Sequence, residues 1–346
     1  MKILIICQYY YPEPFRISDI CETLSQRGHE ITVLTGLPNY PEGKVPKEYR
    51  YGKKRMEMIN GVKVIRVFEI SRGRGHLKRF LNYCSFALST TVKVLFIKEE
   101  FDVVFVNQLS PVLMGIPAVF YKKKYKKKML LYCLDLWPES LVAGGIKKNS
   151  FIYNLFLKIS KWIYEAADMI FVTSSMFRDY FEKILLMNTD NIEYLPQYAE
   201  DLFIQNIISK KDDKYHFVFA GNIGEMQSVE TIIHAAKELQ FYDDIHFHIV
   251  GDGSSLEKCK RYAMDFGLHN ITFYGRLPVE QMPQFYGMAS AMLITLKDDD
   301  TISYTLPGKV QSYMAAGKPI IAAINGVTRS AIEEAACGMC CNAEDY

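Results

Sequence analysis

The chain has 346 residues, 49% of them hydrophobic and 23% charged, the balance of a globular protein too long for one compact core. Its net charge of +2 gives no whole-molecule electrostatic case for nucleic-acid binding, so no nucleic acid is expected as a partner. The opening Met1-Lys2-Ile3-Leu4-Ile5-Ile6-Cys7 reads as a buried strand rather than a cleavable leader. The eight cysteines include a Cys337-x2-Cys340-Cys341 run with no second Cys/His pair at zinc spacing, so reduced thiols and a cytoplasmic location are expected.

Residues 2–7 and 31–35 are short apolar runs, the pattern of strands covered on both faces. Between them Ile17, Ile20, Cys21 and Leu24 recur at helical spacing until Arg27-Gly28-His29 stops them, which gives a strand–helix–strand unit and a right-handed parallel crossover. Further strands are predicted at 62–68, 101–107, 129–134 and 169–173, with a helix at about 151–167. The apolar run 80–97 is interrupted by Asn82, Ser85, Ser89, Thr90, Thr91 and Lys93, so it is predicted as a core or interfacial helix and not a membrane span. Residues 188–209 read as mostly irregular, and 210–214 as a solvated charge run. A second series then starts: strands at 215–220, 245–250, 271–274, 291–295 and 318–323, with helices at 228–240, 255–266, 279–289 and 308–316. The expected fold is α/β, two Rossmann-like doubly wound domains facing across a cleft. Their boundaries are set at 1–205 and 206–346, with ligands at the carboxyl ends of the strands.

The candidate site residues fall at those strand ends. After the first strand comes Gln8 to Arg16, QYYYPEPFR, a stiff loop carrying Tyr11 and Glu13. After the second comes TGLPNYPEG, with Asn39 and Tyr40 expected to face the same crevice as Gln8. Both stretches also read as plain surface turns. Asp135 and Glu139 in LDLWPES stand four apart, so a helix starting at Pro138 lets both carboxylates enter one cleft to orient a hydroxyl or take its proton. Capping of that helix by Asp135, with Trp137 as core, is the competing reading. FVFAGNIGEMQ puts Gly221 and Gly224 in a tight turn resembling a phosphate cradle, without the full dinucleotide fingerprint. IVGDGS is a second glycine turn, and FYGRLP places Arg276 just after a strand. In ISYTLPGKVQSYMAAGKPI, Pro307 suits a first helical turn, and Gly308-Lys309 would form a cationic helix start able to hold an anion, or an ordinary cap. Lys122 to Lys128 carries six lysines in seven positions, read equally as a solvated face or as a contact for an anionic membrane leaflet.

YYYPEP, RGHEITVLTGLPNYPEG, DLWPES, GNIGEMQ, VGDG, FYGRLP and LPGKVQSYMAAGKPII occur in one order over nearly the whole chain. That order resembles the retaining glycosyltransferases of family 4, which have the GT-B fold. PNYP, DLWPES and GNIG-x2-Q are similar to the branch of bacterial O-antigen and capsule fucosaminyltransferases. The resemblance implies transfer of a hexosyl or acetylaminohexosyl group from a nucleotide-diphosphate sugar, a UDP-N-acetylamino sugar, to a lipid-linked oligosaccharide. The implied place is the inner face of the cytoplasmic membrane, with no cofactor and no metal.

Gly221, Asn222, Gly224, Gln227, Pro307, Gly308 and Lys309 are then implied to hold the donor diphosphate. Gly251, Asp252, Gly253, Arg276 and Leu277 would border the base. Asp135 and Glu139 would be catalytic, with Tyr11, Glu13, Asn39 and Tyr40 on the acceptor side.

Three departures from the family pattern stand out. The usual pair of glutamates falls on Tyr304 and Ser312. Asn222 and Gln227 occupy the places of the usual phosphate-loop Arg and Lys, so Lys309 and Arg276 would have to supply the charge. The chain also ends at Tyr346, before the helices with which the family closes. These departures keep two other readings open, a non-catalytic sugar-nucleotide-binding scaffold and a UDP-sugar epimerase on the same fold.

Overall fold

The computed structural model describes residues 1–73, 75–142, 145–205 and 213–346. Ala143 and Gly144 of the third motif, and Lys210 to Asp212 of the charge run, lie outside the described residues, as does the start of the second domain set at 206. The chain divides into two compact units, Met1–Thr173 with Phe177–Leu195, and Ser174–Met176 with Pro196–Tyr346.

The first unit runs β1 (Lys2–Ile6), α1 (Ile17–Gln26), β2 (Glu30–Thr35), β3 (Met56–Ile59), β4 (Val62–Arg66), α2 (His76–Phe96) and β5 (Val103–Gln108). It continues through α3 (Ile116–Tyr125), β6 (Lys128–Cys133), α4 (Glu139–Val142), α5 (Phe151–Ala166), β7 (Met169–Val172), α6 (Met176–Lys183) and β8 (Ile192–Tyr194). The eight strands lie in the order β3-β4-β2-β1-β5-β6-β7-β8, all parallel except the β3–β4 pair. β1 is central, with Ile5 opposite Val33 on one side and Phe105 on the other. Both of its faces are covered, which is why it reads as an unbroken apolar run. The chain winds outward from β1 through β2 and β4, then returns to β5, so the topological switch point lies between β1 and β5.

The second unit runs α7 (Leu202–Gln205), β9 (Tyr215–Ala220), α8 (Val229–Glu238), β10 (Ile245–Val250), α9 (Leu256–Asp265), β11 (Ile271–Gly275) and α10 (Met282–Met288). It ends with β12 (Ala291–Thr295), α11 (Asp300–Ser303), α12 (Lys309–Ala315), β13 (Ile320–Ala323), α13 (Gly326–Glu334) and β14 (Gly338–Cys341). All neighbours in the order β11-β10-β9-β12-β13-β14 are parallel, and the switch point lies between β9 and β12. Along β9, Val218 and Ala220 enter one core cluster with Met292 and Tyr313, while Phe219 enters the other with Ile233 and Ile249. That alternation is the period of two expected of a strand packed on both faces.

Several predicted boundaries shift. The stretch read as irregular, 188–209, contains β8 and α7. The edge strands β3 and β14 and the helix α13 were not expected. The predicted helix 279–289 is a 3-10 turn, Val279–Gln281, followed by α10, whose Pro283 lies in the first turn where a missing N–H costs nothing. All eight cysteines are free, and no helix among the described residues is long and apolar enough to cross a membrane.

Candidate functional site

In the second unit, the loops at the carboxyl ends of β9, β10 and β11 are laced together through their backbones. Gly251 N–H donates to Gly275 O at 2.9 Å, Gly221 N–H to Val250 O at 2.9 Å, and Ile223 N–H to Asp252 O at 2.9 Å. The approach is so close that a Cβ on Gly251 would sit 1.8 Å from Gly221 O, and one on Gly253 would sit 2.4 Å from Ile223 O. Gly221 and Gly251 also have φ of +154° and +147°, outside the ordinary range of L side chains. Gly251 and Gly253 of GDG are therefore steric requirements of the GNIG backbone. Asp252 Oδ1 accepts from Gly253 N–H at 2.7 Å, Asn222 and Arg276 are exposed, and Leu277 packs against the core.

α12 delivers a cation to this place. Lys309 Nζ donates to Gln227 Oε1 at 2.7 Å and lies 4.1 Å from the centroid of the Phe219 ring. A Cβ on Gly221 would come within 2.9 Å of the same nitrogen, so the glycine also makes room for the amine. The residue as a whole keeps partial access to solvent, but desolvation around the amine lowers its pKa from 10.5 to about 7. The helix is tied to β9 by Tyr313, whose hydroxyl accepts from Ala220 N–H and donates to Ala220 O, both at 3.0 Å. Thr295 at the end of β12 donates to Gln227 O at 2.6 Å, which brackets the switch point from its other side. A cation thus reaches the GNIG turn from a distant helix, onto the Gln227 side chain. Pro307 and Gly308 lead into that helix, and Pro307 O accepts from Val310 N–H at 3.0 Å.

Ser312, where a glutamate was expected by resemblance, donates to Glu200 Oε2 at 3.4 Å. A carboxylate therefore does lie beside position 312, contributed by the segment that leads into α7. The sequence offered no local signal for this long-range pairing, nor for the Tyr313 clamp.

In the first unit, Asp135 and Glu139 are held by separate partners. Ser110, at the carboxyl end of β5, donates to Asp135 Oδ2 at 2.9 Å and accepts from Trp137 Nε1–H at 3.0 Å. Burial raises the Asp135 pKa against the lowering effect of Ser110. Glu139 is buried, accepts from the Tyr153 hydroxyl at 2.6 Å and pairs with Lys148 at 3.4 Å. The sharing of one cleft expected for the two carboxylates gives way to two environments, because the short α4 turns Glu139 toward α5. Trp137 is core, as the competing reading had it, packed 5.3 Å from Phe156, yet its N–H also orients Ser110.

Gln8 and Asn39 meet on a buried carboxylate, Glu69. Glu69 accepts from Gln8 Nε2 at 3.1 Å and from Asn39 Nδ2. Gln8 donates as well to Asn82 Oδ1 at 2.8 Å. Burial holds the Glu69 carboxyl well above the usual range. Glu13 is also buried and accepts from the backbone N–H groups of Asn39 (2.8 Å) and Tyr40 (2.6 Å), and burial raises its pKa to about 7 despite these bonds. So Glu13 and Asn39 brace the two loops, and Asn39 shares Glu69 with Gln8. Tyr40 stands beside Arg72 (5.3 Å), which also donates to the Tyr9 hydroxyl at 3.2 Å. Tyr11 is exposed. Glu69 sits just past β4, and the strand-end argument applied to Asp135 would have singled it out.

Residues 16–197 match the family described as Glycosyltransferase Family 4, and residues 201–346 match glycosyl transferases group 1. WbjE of Pseudomonas aeruginosa, named as a glycosyltransferase, is 29% identical over 220 residues, a match spanning 61% of this chain and 54% of that protein. WcaI of Escherichia coli K12, named for colanic acid biosynthesis, is 23% identical over 337 residues, 92% of this chain and 82% of that protein. Among solved structures, sucrose-phosphate synthase from Thermosynechococcus elongatus superposes with a TM-score of 0.76 at 16% identity, covering 99% of this chain and 86% of that one. Anabaena HepE in complex with UDP-glucose gives a TM-score of 0.69 at 12% identity, covering 100% of this chain and 86% of that one. At such identities the structural likeness speaks for the fold. With one family pattern spanning more than half of the residues, and a second following it through two Rossmann-like units, the chain belongs to glycosyltransferase family 4.

Proposed function

We propose that the chain is a retaining glycosyltransferase that moves a sugar from a UDP-sugar, a UDP-N-acetylamino sugar, to a lipid-linked oligosaccharide. The pathway would be O-antigen, capsule or exopolysaccharide synthesis, on the fucosaminyltransferase branch. The observation that carries this reading is Lys309 Nζ on Gln227, set against the interlocked glycine turns at a topological switch point. A desolvated cation beside turns that admit a close neighbour suits a diphosphate, whose charge grows as the anomeric C–O bond breaks. Solved relatives of this fold hold UDP or UDP-glucose, which supports the same class of donor here.

In this reading the second unit takes the donor and the first takes the acceptor. Asp135, oriented by Ser110, receives the proton of the acceptor hydroxyl as its oxygen bonds to the anomeric carbon. Glu139 maintains the local structure. Gly251, Asp252, Gly253 and Arg276 border the base, and Glu200 supplies a carboxylate beside Ser312. No resident metal is part of the proposal, in which Lys309 meets the leaving charge.

Peripheral contact with anionic lipid at the inner leaflet is part of the proposal. It rests on α2, where Leu77, Leu81, Leu88, Val92 and Phe96 form an exposed apolar stripe along one face. The lysine run contributes less than its sequence suggests. Lys122 pairs with Asp168 at 2.7 Å, Lys127 with Glu100 at 3.6 Å, and Lys124 donates to Leu95 O. Incubation with radiolabelled UDP-sugars and a lipid-linked acceptor fraction tests the proposal.

A further inference from the structure

The loop between β2 and β3 does something the motifs did not call for. Residues 44–55, KVPKEYRYGKKR, carry six Lys and Arg against the single Glu48. They do not lie on a featureless surface. A cavity of about 360 Å³ opens there, lined by Lys44, Arg50 and Arg55, by Tyr49 and Tyr51, and by Glu69. Its volume suits one sugar ring with a small substituent. Arg50 Nε donates to Val45 O at 2.7 Å, which fixes the guanidinium against the loop, and Arg55 Nη1 reaches Arg66 O at 3.5 Å. Lys54 and Arg66 stack on the Tyr49 ring at 5.0 and 4.8 Å, so that ring is anchored, and the nearby Glu57 is engaged by Arg66 and Lys54. Tyr51 is different. It is 97% exposed, and its φ of +54° puts a bulky side chain in the left-handed region.

We propose that this cavity binds the glycosyl-phosphate portion of the acceptor, with the phosphate on Lys44, Arg50 and Arg55 and the ring between Tyr51 and Glu69. This rests on the reading of the first unit as the acceptor side. Three cations around one opening call for an oxyanion. An exposed aromatic face and a carboxylate held by amide donors are the groups that take a pyranose, the one by its C–H face and the other by its hydroxyls. The position also agrees with the winding of the sheet: the lining comes from segments at the carboxyl ends of β2 and β4, on the side where parallel sheets gather ligands.

The shared chemistry is a phosphate ester, which a soluble sugar phosphate and a lipid headgroup both carry. The test uses the full chain in saturating UDP, with glucose 1-phosphate and glucose as probes in saturation-transfer NMR and titration. Glucose 1-phosphate should bind and glucose should not, and K44A/R55A should weaken glucose 1-phosphate by roughly tenfold or more while UDP affinity and melting temperature stay as in the parent. Equal weakness of the two probes, or an unchanged glucose 1-phosphate affinity in K44A/R55A, would overturn the proposal. A vesicle arm separates the two sources: flotation on phosphatidylglycerol vesicles should not respond to K44A/R55A, and a loss of flotation would make the loop a headgroup contact and sink the acceptor site. Failure of UDP itself to bind would instead strike the donor reading, so the two failures are told apart.

Discussion

Lys309 Nζ donates a 2.7 Å hydrogen bond to Gln227 Oε1 across 82 residues of sequence, with the Phe219 ring beneath it. The amine has a side-chain amide rather than a carboxylate as this partner, and a diphosphate would supply the missing negative charge. Lys309→Ala should therefore weaken UDP-glucose binding by about tenfold or more, and Ser312→Ala by less. Calorimetry on the two variants decides this, and equal losses would remove Lys309 from the site.

The same amine sets a pH dependence. Its pKa of about 7 in the free protein means that it is already charged below that pH and must take up a proton to meet a diphosphate above it. UDP-glucose affinity should be flat below pH 7 and fall above it, by up to about tenfold per pH unit. UDP-glucose is the probe because both of its phosphates are esterified and do not titrate in this range. Stability should move the other way. The folded pKa lies below the unfolded one, so the folded chain binds fewer protons between about 7 and 10.5, and stability rises with pH through that window. Lys309→Met should remove both trends, read by calorimetry and by thermal melting.

The glycine turns make a sharp contrast. Gly251→Ala should destabilise the second unit by more than about 3 kcal/mol, since its Cβ meets Gly221 O and φ is unfavourable. Gly267, with φ of +66° and nothing within 4 Å of a Cβ, should cost only about 1 kcal/mol when changed to alanine. Denaturant titration of the two variants separates steric interlock from backbone preference alone.

Asp135 and Glu139 should part company as well. Asp135→Asn should leave the melting temperature and UDP affinity nearly unchanged and lower sugar transfer at least a hundredfold, the scale of a lost proton acceptor. Glu139→Ala leaves the Tyr153 hydroxyl and Lys148 without their carboxylate, and should cost about 2–3 kcal/mol of stability. Paired melting and transfer assays read both.

These contrasts also mark what the sequence could and could not reveal. Strand and helix alternation was legible because continuous apolar runs such as Ile3 to Cys7 are too short for a buried helix and suit a doubly covered parallel strand. The glycine turns were legible for the same reason, since GNIG and GDG sit where strands end. The edge strand β3, with exposed Met56 and Met58, lacks a buried pattern and was missed. Glu200 beside Ser312, Tyr313 on Ala220, and Glu69 under Gln8 and Asn39 join residues far apart in the chain, and periodicity is blind to such pairs. Composition likewise does not tell that Lys122 and Lys127 of the lysine run are paired with Asp168 and Glu100.

The apolar stripe on α2 gives a prediction of its own. Leu88 and Phe96 are 68% and 78% exposed, so Leu88→Glu with Phe96→Glu should abolish flotation on phosphatidylglycerol vesicles at little cost to folding. Lys122→Ala should matter less for flotation, because that lysine is engaged by Asp168.

Sugar transfer itself is read by product analysis after incubation of the protein with radiolabelled UDP-sugars and a lipid-linked acceptor fraction. The expected product is a labelled glycolipid whose new bond keeps the anomeric configuration of the donor, with one UDP released per sugar moved. UDP-sugar bound tightly but never transferred to any acceptor, or an isomerised sugar nucleotide formed without an acceptor, would contradict it.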